Sequence, residues 1–157
     1  MVVCRLLVLL TGILFSMTAQ AFEVKGYTPG MDASTLDLKA CRPLKDADSG
    51  VPGYACDTTV GGDPASVRVL VFEGKVVGVI FTTKNAHMKP ILDALSEKYG
   101  RPTQSNRYIE NYNWRNGRLT MSLKEKKLDR GYDILLIDFD LFAAAQKSAK
   151  DKAKSDI

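Results

Sequence analysis

The sequence predicts an α+β fold in which two helix-plus-three-strand units form an antiparallel sheet with the helices packed on one face. Three observations carry this expectation. Residues 86–99 repeat their apolar side chains at helical spacing, and 33–41 do so over a shorter stretch. Short β-branched runs bounded by turn residues lie on both sides of the longer helix. The elements also come in the same order twice, over about 26–83 and 86–139, although residue identity between the halves is slight.

Taken in chain order, the first helix is expected over 33–41, with Asp32 as its cap and Ala33, Leu36 and Ala40 turned inward. A strand follows over 54–60. The runs 67–72 and 76–83 are joined across Glu73-Gly74-Lys75, which reads as a hairpin. In the second helix Met88, Ile91, Leu92, Leu95 and Tyr99 make one apolar stripe. Asn85 is positioned to cap it, Pro90 fits only its first turn, and Gly100 and Pro102 end it. Strands over 107–115 and 119–125 flank Asn116-Gly117, the strongest short hairpin signal. Residues 126–130 turn the chain into a last strand over 132–139. From Ala143 to the end the composition is rich in Ala and Lys, which reads as a solvated, fraying helical tail.

The first 21 residues have the form of an export signal. Arg5 precedes an apolar run over 6–15, and Ala19-Gln20-Ala21 supplies the small-x-small cleavage pattern. The run is shorter than the roughly 20 residues that span a bilayer. Cys4 precedes it, so no lipid-anchor cysteine stands at the cleavage point. Cleavage after Ala21 leaves 136 residues, enough for a single α+β domain over 22–142 and the tail at 143–157, with no stable membrane anchor. Two cysteines remain. In an exported chain Cys41 and Cys56 are expected to form a disulfide, and the expected compartment is the periplasm or the exterior. The only histidine, His87, is remote in sequence from both, so no metal set is expected, and no cofactor.

Charge is uneven. Residues 22–72 hold seven acids and five bases, whereas 98–130 hold nine bases and three acids. A partner of negative charge would be steered to the second half, unless the bases merely solvate strand faces and turns.

Gly26-Tyr27-Thr28-Pro29-Gly30-Met31-Asp32, leading into a short helix, resembles the helix entry of BamE/SmpA-like domains. Leu95-Ser96-Glu97-Lys98-Tyr99-Gly100-Arg101-Pro102, followed by an aromatic strand with Trp114, resembles their helix ending. The tandem order is similar to the β-lactamase-inhibitor-protein fold. The chain departs from the first family in ending its first helix at Cys41-Arg42-Pro43 and in lacking the lipoprotein cysteine. What the resemblance implies is a scaffold whose open sheet face receives a protein partner.

The candidate sites are few. Tyr108, Glu110, Tyr112 and Trp114 alternate onto one strand face, with Arg115 and Arg118 at the adjacent turn. Aromatic side chains beside arginines are common interface anchors, so Tyr108, Tyr112, Trp114, Arg115 and Arg118 form the candidate binding set. The same aromatics could equally pack on the helix. Asp138 and Asp140 alternate along the last strand with Asp133, as a carboxylate pair would, or as a solvated edge would. His87 at a helix start fits a cap or an exposed side chain. Gly61-Gly62-Asp63-Pro64 lacks the Lys-Ser/Thr of a phosphate loop and reads as a turn. No nucleophile stands in a recognisable catalytic context. The functional expectation is therefore a non-enzymatic, exported protein-binding domain of inhibitor or immunity type, without nucleic-acid ligands. An envelope assembly factor is the alternative, and a carboxylate-dependent hydrolase is a more distant one.

Overall fold

The computed structural model describes residues 21–44, 50–128 and 130–155. The export signal expected over the first 21 residues lies, up to residue 20, outside the described residues. The described residues form one eight-stranded antiparallel sheet and two α-helices. In chain order these are β1 (Arg42–Leu44), β2 (Gly53–Val60), β3 (Asp63–Phe72), β4 (Lys75–Thr83), α1 (Met88–Tyr99), β5 (Gln104–Asn106), β6 (Asn111–Asn116), β7 (Leu119–Lys126), β8 (Gly131–Asp138) and α2 (Phe139–Ser155). The strand order is β1-β2-β3-β4-β8-β7-β6-β5, so two four-stranded meanders meet where β4 pairs with β8.

This corrects the expected fold class. Each half contributes four strands instead of three, and no first helix forms. The two helices that do form lie on opposite faces of the sheet. Along β3, Val67 and Val69 belong to the large apolar cluster that also holds Met88 and Leu95 of α1. Leu70, the next residue, points the other way and packs with Val51, Val77 and Ala145 of α2. At Leu70/Val71 the register of β3 on β4 shifts by a bulge, so Val76 joins the first cluster and Val77 the second.

Where the first helix was expected, only Ala33–Thr35 make a 3-10 turn, and Leu36 is already extended at φ −95°, ψ 138°. Residues 22–38 instead cross the sheet as a strap. Its Phe22, Val24, Tyr27, Met31, Leu36 and Leu38 all pack into the larger cluster. The backbone of the strap is tied to the end of the β3–β4 hairpin: Gly30 N–H donates to the Val76 carbonyl, Val76 N–H to that of Met31, and Ala33 N–H to that of Gly74. Asp32, the expected cap, pairs with Lys75 at 2.7 Å and makes no capping bond. At the strap's start, Tyr99 Oη donates to the Glu23 carbonyl at 2.6 Å and accepts from Glu23 N–H at 2.9 Å, while the Phe22 and Tyr99 rings meet edge to face.

α1 follows the expected stripe, with two adjustments. His87, not Asn85, occupies the N-cap position, and its side chain makes no capping bond. Asn85 turns the chain at φ 52°. Gly100, at φ 80°, ends the helix in a conformation that only glycine adopts without strain. α2 corrects the tail: it begins at Phe139 and packs through Leu141, Phe142 and Ala145. No helix of the described residues is long and apolar enough to cross a membrane.

Candidate functional site

The five residues of the expected binding set fall in four separate places. Tyr108 is 93% exposed, but it lies in the β5–β6 turn and not on a strand. Glu110 is in that turn too, at φ 41°, because β6 starts only at Asn111. Tyr112 and Trp114 do share a strand face, and that face is the core. Trp114 is 2% exposed, and its indole N–H donates to the Gly100 carbonyl at 2.8 Å. Its ring therefore cannot anchor a partner in this fold. Arg115 points to the opposite face, where its guanidinium stands 5.9 Å from the Phe139 ring. Arg118, in the β6–β7 turn, lies 2.8 Å from the carboxylate of Asp138.

That contact also disposes of the carboxylate pair. Asp138 is fully buried, and its Oδ1 accepts N–H bonds from Asp140 and Leu141 at 3.2 Å each, which caps α2. Its Oδ2 faces the Arg118 guanidinium. The strand ends there, so Asp140 sits in the first turn of α2 and shares no strand face with it. His87 is exposed and lines a cleft of about 480 Å³ with Lys89, Glu110, Glu125, Lys127 and Arg130, and no serine, threonine or cysteine of the described residues lines it. Among the described residues no three His, Cys, Asp or Glu side chains converge as a metal set would. Gly61 and Gly62 form a two-residue hairpin turn, and Asp63 and Pro64 already belong to β3. Cys41 and Cys56 are joined as a disulfide, which ties the end of the strap to β2.

The feature that no short stretch of sequence announced is the sheet face opposite the strap. Reading across the registers, one row runs Asp57, Ser66, Thr82, Asp133, Lys124, Asn111 and Asn106. The next runs Ala55, Arg68, Ile80, Leu135, Ser122, Asn113 and Gln104. α2 packs over β3, β4 and β8 at one end of this face, and most of these two rows stay exposed or half-buried. Ile80 and Leu135 are paired across the β4–β8 seam, with Arg68 and Ser122 beside them in the row and Thr82 and Asp133 in the next, so an apolar pair has polar side chains on three sides. Three polar atoms of this face, Asn111 Oδ1, Thr120 Oγ1 and Asp133 Oδ1, are withdrawn from solvent with no hydrogen-bond partner among the described residues. Such atoms are uncommon in native proteins, at a cost of about 1–3 kcal/mol each.

Two clefts open near the β5–β6 edge. One, of about 470 Å³, lies on the open face between Gln104, Asn113, Arg115, Thr120, Ser122 and Phe139. The other, of about 230 Å³, is bounded by Tyr99, Arg101, Thr103, Trp114 and Arg115. Thr103 and Arg115 line both.

No family model matches the chain, and no curated protein or solved structure matches it either.

Proposed function

We propose that the chain is an exported, non-enzymatic domain of the cell envelope that binds a partner protein on the open face of its sheet, as an inhibitor or immunity-type protein would. The observation that carries this reading is the arrangement of that face: the Ile80–Leu135 apolar centre, a polar surround, and α2 over one end only. An apolar centre inside a polar rim is the usual anatomy of a protein interface. The Cys41–Cys56 disulfide is compatible with a periplasmic or extracellular location. Of the carboxylates of the last strand, Asp138 is engaged as the cap of α2 and by Arg118.

Site-specific photocrosslinking in cells that produce the protein tests the reading. A crosslinker at Ser122 or Ile80 should give one dominant protein adduct, and one at Glu97, exposed on α1, should not. The adduct protein, once purified, should bind wild-type protein and lose binding to a Leu135→Arg variant that still melts cooperatively. Equal crosslinking from all three positions would sink the proposal.

A further inference from the structure

Four of the clefts formed by the described residues differ in charge. The one beside His87 mixes Lys89, Lys127 and Arg130 with Glu110 and Glu125. The one at the β2–β3 turn contains Asp57 and Asp63. Neither cleft at the β5–β6 edge contains an acid, and between them they hold Arg101 and Arg115. Both arginines are exposed, and neither has a carboxylate partner among the described residues. Asp138, the buried acid at the end of β8, already faces Arg118. The positive charge at this edge is thus unanswered among the described residues.

Other features point to the same place. Arg115 is held over the ring of Phe139, itself 46% exposed, so a flat cation and an apolar ring are presented together. The floor of the larger cleft carries hydroxyl and amide groups, and one of them, Thr120 Oγ1, has no hydrogen-bond partner among the described residues. β5 closes the sheet on this side, so its outer backbone edge is unpaired, and all three of its residues are exposed. An exposed strand edge recognises extended peptide through the main chain.

Resting on the reading of the open face as a protein-binding surface, we infer that the partner presents an extended acidic segment at the β5–β6 edge. Its carboxylates are received by Arg101 and Arg115. Guanidinium groups suit this role because two parallel N–H donors match a carboxylate. An apolar side chain of the segment lies against Phe139, and its backbone runs beside β5.

The test is an NMR titration of the purified, isotope-labelled protein with a synthetic peptide of alternating glutamate and threonine carrying one central phenylalanine. Shifts should concentrate on the Arg101 and Arg115 Nε–H groups and on the backbone amides of Thr103, Gln104, Asn113 and Thr120. The apparent affinity should fall about tenfold or more between roughly 0.01 and 0.15 M salt. It should be lost in an Arg101→Gln/Arg115→Gln double variant whose spectrum is otherwise unchanged. No shift at about 5 mM peptide, in the range of the weakest specific binding, would overturn the inference. So would shifts that appear first on Lys147, Lys150 and Lys154 of α2. Inorganic phosphate reproducing the shifts with equal affinity would overturn the peptide assignment, as would co-sedimentation with anionic vesicles when the peptide is silent. If Ser122 crosslinks a partner whose binding ignores both arginine substitutions, this inference fails and the open-face reading stands. If crosslinking fails as well, both are wrong.

Discussion

On one side of the sheet Val67, Val69, Val79, Phe81, Met121, Leu123 and Leu136 are each 0% exposed. Next to them on the same strands, and pointing the other way, Ser66, Arg68, Ile80, Ser122, Lys124 and Leu135 are exposed or half-buried. The difference follows from what covers each face. The strap over 22–38 and α1 close the first, contributing Phe22, Tyr27, Met31, Met88 and Leu95 to one continuous apolar cluster. On the second face α2 reaches only Val51, Leu70 and Val77 as a buried group. Burial at roughly 25 cal/mol per Å² therefore accumulates on one face, and stability is concentrated there. The other face is free to change with little penalty to the fold, which is the condition a recognition surface needs.

The sharpest way to break this comparison is to truncate one side chain on each face. Trp114→Ala removes a fully packed indole and orphans the Gly100 carbonyl bond. It is expected to cost about 3–5 kcal/mol, lowering the melting temperature by roughly 10 °C or more. Lys124→Ala, exposed on the open face, is expected within about 0.5 kcal/mol of wild type. Thermal melts of the two variants decide the matter. Comparable losses would mean that the open face bears the fold after all.

A second measurement asks what holds the strap down. The bond between Cys41 and Cys56 closes a loop with a sequence separation of 15. A loop of that length contributes about 3 kcal/mol by the chain-entropy estimate. The Cys41→Ser/Cys56→Ser variant, or wild type under reductant, should lose about that much in urea titrations. A loss well below 1 kcal/mol would show that Phe22, Tyr27 and Met31 hold the strap unaided.

How much of this was legible depended on how local the cause was. The Asn116-Gly117 and Glu73-Gly74 hairpins and the α1 stripe are written within a few residues, and each was read from sequence. The first helix was misread because Ala33, Leu36 and Ala40 do fit a helical period. What overrides them is backbone bonding from Gly30, Met31 and Ala33 to the β3–β4 hairpin, about forty residues away along the chain. The Ala- and Lys-rich composition begins only at Ala143, whereas α2 starts at Phe139 and is seated by Leu141 and Phe142, ahead of that change. β1 and β5 are three residues each, too short to show any alternation. For the site, Arg115 is expected at the turn beside the aromatics, whereas it lies within β6, where the period of two turns it away from Trp114. That Trp114 faces the core depends on its register against Met121, and the open face depends on seven such registers at once. No local pattern contains that information.

The smallest effect concerns a proton, and it separates the closed face from solvent more finely than any truncation. Tyr132 on β8 is 0% exposed, with its hydroxyl 3.5 Å from the Val60 carbonyl. Burial, and secondarily the charge of Asp63, push its pKa from 10.0 up to about 12. The neutral phenol is thus the form that the folded state favours. Below the unfolded value of 10.0 both states keep the proton, and the contribution is fully present. As the pH climbs from 10.0 to about 12 the unfolded chain releases the proton and the folded chain does not, so stability falls. The loss is on the order of 2 kcal/mol. Tyr132→Phe retains the ring and removes the titration. The difference in unfolding free energy between wild type and variant should therefore shrink, or reverse in sign, across that window, as measured by urea unfolding at successive pH values. If Tyr132→Phe runs parallel to wild type throughout, water reaches the phenol, and the closed face is less closed at the β2–β8 end than its packing indicates.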